Sequence, residues 1–181
     1  LLRGFDRHGE LPSLEARFGL AATCLAGYPM YRGLSRLLGM QVPALAGEGP
    51  GAVVGEALRA AWREERDFLF VHFKPADAAG EDGDFDAKVA ALEQADGLLP
   101  ALLDHEPPVL VVTGDHSTPA VMGAHSFHPV PILLRAATAR RDAVTTFDEQ
   151  ACLAGALGLR PSLHVMGLAL GHAGRLDKYG A

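Results

Sequence analysis

Two near-continuous apolar runs constrain the fold of this chain most: Asp67-Phe68-Leu69-Phe70-Val71-His72-Phe73 and Pro108-Val109-Leu110-Val111-Val112-Thr113. Neither alternates between apolar and polar residues, so neither suits a sheet with one wetted face. Both read as strands buried on two sides, as in a parallel sheet covered by helices. Leu20-Ala21-Ala22-Thr23-Cys24-Leu25-Ala26 reads as a further strand, and Val130-Pro131-Ile132-Leu133-Leu134 as the last. Helical spacing fills the intervals. One segment lies near Tyr31–Leu38 and is closed by Gly39. A second runs from about Ala52 to Arg66, with Val54, Leu58, Ala61 and Trp62 on one face. A third runs from about Phe85 to Leu103, with Phe85, Val89, Leu92, Leu99 and Leu102 as its core stripe. The tail from Phe147 to Leu157 reads as a helix. Strands alternating with helices predict a layered α/β fold whose sheet is mostly parallel and flanked by helices.

Composition narrows the function classes. With 181 residues the chain can build one sizeable core, and length alone suggests a single domain. A net charge of −6 and the absence of a dense Lys/Arg block argue against nucleic acid as a partner. No apolar stretch reaches membrane-spanning length, and the opening Leu1-Leu2-Arg3-Gly4-Phe5-Asp6 lacks a signal-peptide layout, so no membrane partner is expected. The two cysteines, Cys24 and Cys152, sit in apolar surroundings outside any Cys-x-x-Cys pair and read as buried free thiols of a cytoplasmic protein.

The chemistry gathers where strands end. Gly114-Asp115-His116-Ser117-Thr118-Pro119 follows the 108–113 run, and His125 returns shortly after. Open α/β sheets place ligands at the carboxyl ends of their strands. The 67–73 run likewise ends in Lys74-Pro75-Ala76-Asp77-Ala78-Ala79-Gly80-Glu81-Asp82-Gly83-Asp84, read as an acidic strand-end loop with Asp82 and Asp84 in solvent. If the two strands are neighbours, Asp77, Glu81, Asp115, His116 and His125 supply enough oxygen and nitrogen donors for two divalent cations. Two such ions about 3.5–4 Å apart clamp the attacking and leaving oxygens of phosphoryl transfer. Ser117 reads as a turn residue, because no placed base stands beside it to make it a nucleophile.

These strings resemble the archaeal-type cofactor-independent phosphoglycerate mutases of the alkaline phosphatase superfamily. The likeness is carried by Val71–Asp84 with Lys88, Glu93 and Asp96 behind it, by Asp115-His116-Ser117-Thr118-Pro119, and by His125-Ser126-Phe127-His128-Pro129-Val130-Pro131. It extends to Leu2-Arg3-Gly4-Phe5, Tyr31–Met40 and the closing Ala173–Ala181, and so covers essentially the whole chain. The resemblance implies an alkaline-phosphatase-like fold and two divalent ions, manganese, magnesium or zinc. One would be held by Asp77, Glu81 and His125, the other by Asp115 and His116. Where this chain has Glu81 the family commonly has His. A carboxylate there is the harder donor and favours manganese or magnesium over zinc.

The activity so implied is the interconversion of 2- and 3-phosphoglycerate in glycolysis, by transfer of the phosphoryl group to an enzyme hydroxyl and back. No serine matches the family's nucleophile motif. The expectation is therefore a carboxyl-terminal portion, residues 1–181, whose first 15 or so residues end a substrate-binding insert. The nucleophile then lies in a preceding segment, and this chain alone is expected to be inactive. Arg3, on the family's Arg-Gly motif, is the leading candidate for binding the small phosphorylated substrate, followed by Arg32 and Lys74. A homo-oligomer is left open. Two other readings stand beside this one: a metal-dependent phosphatase or phosphotransferase acting on another small phosphate ester, and an inactive metal-binding fragment.

Overall fold

The computed structural model describes residues 11–45 and 66–176. The helix expected over about 52–66, with Val54, Leu58, Ala61 and Trp62, lies outside the described residues, apart from Arg66 at its end. The candidate substrate residue Arg3 lies outside them too. In chain order the elements are α1 (Leu14–Phe18), β1 (Ala22–Ala26), α2 (Pro29–Leu37), β2 (Phe68–His72), α3 (Pro75–Glu81), α4 (Phe85–Asp96), α5 (Leu99–Leu103), β3 (Val109–Thr113), β4 (Ile132–Ala136), α6 (Glu149–Cys152) and α7 (His164–His172). No helix among the described residues is long and apolar enough to cross a membrane. They divide into two compact units. The first takes the described residues up to Ala76 together with Val89–His105; the second takes Asp77–Lys88 and the described residues from Glu106 onward.

The first unit is built on β1, the most deeply buried strand, with all five residues inaccessible. Successive side chains of a strand point to opposite faces. Ala22, Cys24 and Ala26 therefore meet Met40, Tyr31 and Phe70 on one side. Leu25 meets Leu69, Val71, Leu98 and Leu102 on the other. The two-sided burial expected of the 67–73 and 108–113 runs falls to β1 instead: β2 is only half-buried along its length, and so is β3, with Thr113 exposed. β2 lies parallel to β1 in the register Ala22↔Phe68 to Ala26↔His72. On the other edge of β1, Cys24 N–H donates to the Gln41 carbonyl at 2.8 Å and Gln41 N–H to that of Ala22 at 2.9 Å. Burial raises the pKa of the Cys24 thiol, while Cys152 in the second unit is half-buried; both are free thiols.

The second unit holds β3 and β4, paired antiparallel from Val109↔Ala136 to Thr113↔Ile132. The α/β class with a parallel pair and flanking helices is observed, and this hairpin adds an antiparallel component. Three helical expectations change. The segment 85–103 is two helices, α4 and α5, separated at Gly97-Leu98 ahead of Pro100. Its expected stripe is not core along α4: Phe85, Val89 and Leu92 are exposed, and Ala91 is the buried residue. The tail helix shrinks to the single turn α6, capped by Asp148, and α7 follows where no helix was expected. The third change is at the candidate site: residues 75–81 form helix α3 and not a loop.

Candidate metal centre

Helix α3 begins on Pro75, a residue whose fixed φ suits the first turn of a helix. Residues three and four apart share a helix face. Asp77, Gly80 and Glu81 therefore project together. Facing them is the segment that leaves β3 at Thr113 and returns to β4 at Ile132. An isolated antiparallel bridge pairs Ser117 with Ser126, and Ser126 N–H donates to the Ser117 carbonyl at 2.8 Å. His116 and His125 each stand one residue before this bridge. Their rings consequently lie 3.9 Å apart, centroid to centroid.

One carboxylate oxygen sits at the meeting point. Asp77 Oδ1 is 3.5 Å from His125 Nε2 and 3.8 Å from His116 Nδ1. His125 Nε2 is 3.2 Å from Glu81 Oε1, and His116 Nε2 is 3.6 Å from Asp115 Oδ2. A tetrahedral cation with bonds of about 2.1 Å holds its donors about 3.4 Å apart, and an octahedral one about 3.0 Å. The observed separations run from 3.2 Å, between these edges, to 3.8 Å, a few tenths of an ångström beyond the tetrahedral one. Asp77, His116 and His125 can each offer one donor atom with all three within 4.8 Å of one another. Carboxylate oxygen with imidazole nitrogen is a donor set suited to zinc or manganese. The residues present fit a divalent ion.

Of the residues expected at the site, Asp77, Glu81, Asp115, His116 and His125 all lie in the second unit. Asp77 is the most sheltered, with 19 % of its side chain exposed, against 47 % for Glu81 and 56 % for Asp115. Ser117 serves the backbone bridge. Arg32 and Lys74 belong to the first unit. Arg32 donates through Nη1 to the carbonyls of Ala26 at 2.9 Å and Pro43 at 3.1 Å. The Lys74 ammonium lies 5.4 Å over the Tyr28 ring. Asp84 is exposed as expected, yet its carboxylate caps a helix, accepting from Ala87 N–H at 2.9 Å at the start of α4.

Sequence reasoning passed over Thr118 and Gly80. Thr118 is 4 % exposed, and its hydroxyl donates to Asp77 Oδ1 at 2.6 Å. Its backbone carbonyl accepts from the Lys88 ammonium. Gly80 lets this carbonyl approach, because a Cβ built there would stand 2.3 Å from it. A glycine within a helix, between two acidic residues of one face, is the signal that was available: it marks a close approach of backbone. Nothing in the spacing distinguished Thr118 from Ser117.

The family model of the metalloenzyme superfamily matches residues 5–170. The chain is 47% identical over 183 aligned residues to a protein of Thermosipho africanus named as a probable 2,3-bisphosphoglycerate-independent phosphoglycerate mutase. A Thermus thermophilus protein of the same name is 45% identical. Each alignment takes in 100% of this chain but 44% and 45% of the relative, so the chain spans less than half the length of these relatives. Among solved structures, a Pyrococcus horikoshii protein superposes with a TM-score of 0.86 at 30% identity, over 94% of this chain and 54% of that one. A cofactor-independent phosphoglycerate mutase from Thermoplasma acidophilum shares the fold with a TM-score of 0.67 at 24% identity, over 90% of this chain and 40% of that one.

Proposed function

The chain belongs to the metalloenzyme superfamily, and from that premise we propose that it supplies most of the metal ligands of a phosphoglycerate mutase. The observation that carries this reading is the convergence of Asp77, from α3, with His116 and His125, from the β3–β4 connection, in a chain whose whole length aligns with 44% of a protein of that name. Two divalent ions are proposed, one at Asp77, Glu81 and His125 and the other at Asp115 and His116. Bound there, such ions neutralise charge on a transferring phosphoryl group and lower the pKa of an attacking hydroxyl.

The protein's own contribution is placement. Asp77 and Glu81 hold their spacing because helix α3 fixes it, and the imidazoles hold theirs because the Ser117–Ser126 bridge does. The substrate is 2- or 3-phosphoglycerate, the setting glycolysis, and the compartment the cytoplasm, where two free thiols persist. The phosphoryl-accepting hydroxyl is proposed to lie in a preceding part of the full gene product, with Arg3 binding substrate.

The test compares the full gene product with the 181-residue chain. With manganese, the full product is expected to interconvert the two phosphoglycerates, to lose activity on chelation and to regain it on metal return. Asp77→Asn is expected to lower its kcat by at least about a hundredfold, the scale seen when the geometry of a reacting centre is lost. The 181-residue chain alone is expected to show no turnover above a metal-only blank. Release of free phosphate in place of isomerisation would assign a phosphatase instead.

A further inference from the structure

Thr118 carries a hydroxyl with one proton and two neighbours. Oγ1 lies 2.6 Å from Asp77 Oδ1 and 3.1 Å from His116 Nδ1. An ionised carboxylate only accepts, so the hydroxyl proton is committed to Asp77. Toward His116 the same oxygen has lone pairs alone to offer. His116 must then be the donor, which requires a ring proton on Nδ1 and, in the neutral imidazole that binds metals, leaves Nε2 as the atom with a free lone pair. That atom is the one turned to Asp115, at 3.6 Å from Oδ2.

We propose that Thr118 is a positioning residue that divides the donors of the metal centre into two sets. By fixing the His116 tautomer, it withholds Nδ1 from an ion at Asp77 and presents Nε2 to an ion shared with Asp115. Asp77 Oδ1, oriented by the same hydroxyl, is left to pair with His125 Nε2 at 3.5 Å. The compact Asp77–His116–His125 triad is thereby opened into neighbouring sites. Thr118 is itself held from behind, where Lys88 grips its carbonyl and Gly80 lets α3 close upon it. The inference rests on the proposed metal centre but not on the identity of the substrate.

The experiment loads the full gene product, labelled with 15N-histidine, with zinc as a diamagnetic probe. Long-range 1H–15N correlation of the His116 ring is expected to show ligation at Nε2 and a proton on Nδ1. Thr118→Val, which keeps the shape and removes the hydroxyl, is expected to weaken zinc binding about 10–100-fold, the usual effect of losing a ligand's supporting hydrogen bond. Its His116 ring, read in the metal-free state, is expected to become a mixture of tautomers. Thr118→Ser, which keeps the hydroxyl, is expected to restore both readouts to near the parent values, and it stands in if the valine variant does not fold. Zinc ligation at Nδ1 of His116 in the parent, or an unchanged affinity and tautomer in a folded Thr118→Val, would overturn the proposal. A parent protein that takes up no zinc would overturn the metal centre itself, and this inference with it.

Discussion

Gly80→Ala is the substitution whose sign discriminates best. In an open helix position alanine is favoured over glycine by about 1 kcal/mol. Gly80 is not in open space. An added Cβ would lie 2.3 Å from the Thr118 carbonyl oxygen, 2.9 Å from Lys88 Nζ and 3.1 Å from Thr118 Cγ2. Contacts under 3.0 Å are essentially never tolerated, so either α3 or the backbone at Thr118 must retreat by at least 0.7 Å, the difference between 3.0 and 2.3 Å. Overpacking of this kind costs about 1–3 kcal/mol, and disturbing the bond from a charged lysine to a carbonyl adds about 1.5–3 kcal/mol. Set against the helix gain, the net loss is about 1.5–5 kcal/mol on these scales. At about 2–4 °C per kcal/mol for a chain of this size, the melting temperature should fall by roughly 3–20 °C. Manganese affinity should fall with it, since Asp77 shares the displaced helix face. Gly33, in α2 with nothing within 4 Å of its added Cβ, supplies the control: Gly33→Ala should leave stability unchanged or raise it by up to about 1 kcal/mol. Thermal unfolding and calorimetric metal titration of the pair decide the matter. A Gly80→Ala protein as stable as the parent, binding manganese as well, would refute the close approach of α3 to Thr118.

Glu81 and Asp84 should separate cleanly. Glu81→Ala is expected to weaken metal binding while Asp84→Ala leaves it intact and costs only the α4 cap, about 1 kcal/mol by denaturant titration. Glu81→His is expected to shift preference toward zinc in a competition between zinc and manganese, because the nitrogen donor is softer. Asp142 should report on acid stability. Its carboxylate accepts from Ala156 N–H at 2.8 Å and Val144 N–H at 3.0 Å, which holds its pKa below the ordinary aspartate value. A depressed folded pKa contributes stability above the unfolded value of about 3.9, and that contribution is lost as pH falls through the folded pKa. Unfolding followed from pH 6 down to pH 2, roughly, should show a shallower acid loss in Asp142→Asn than in the parent; identical profiles would remove Asp142 from the account.

The strands were legible because an unbroken apolar run has few alternatives: Leu20–Ala26 holds the doubly buried β1, and Pro108–Thr113 holds β3 almost residue for residue. The five donors were legible as types. Their means of convergence was not. Lys74-Pro75 and the glycines look like breakers, which put Asp77 and Glu81 on a loop, whereas proline is at home in the first turn of a helix and Gly80 is required by contact. The stripe Phe85, Val89 and Leu92 failed for a different reason: periodicity shows that a helix has an apolar face, not which face is covered, and here Ala91 is the buried residue. α7 was missed because it is apolar on every side and carries no amphipathic signature. Thr118 was beyond reach, since its role depends on a partner 41 residues away.

That separation gives the Ser117–Ser126 bridge a kinetic meaning. Bringing together the ends of a loop of about ten residues takes on the order of 10–100 ns, so the two imidazoles can meet through a local event. The carboxylate arrives from a distant part of the chain, and its docking must await the closure of a far larger loop, at a correspondingly greater entropic cost. An ion held between Asp77 and His125, as proposed, would therefore act as a cross-link between remote segments. Its affinity and the persistence of the α3 contact would then be one linked equilibrium, with metal concentration controlling how tightly this part of the polypeptide is closed.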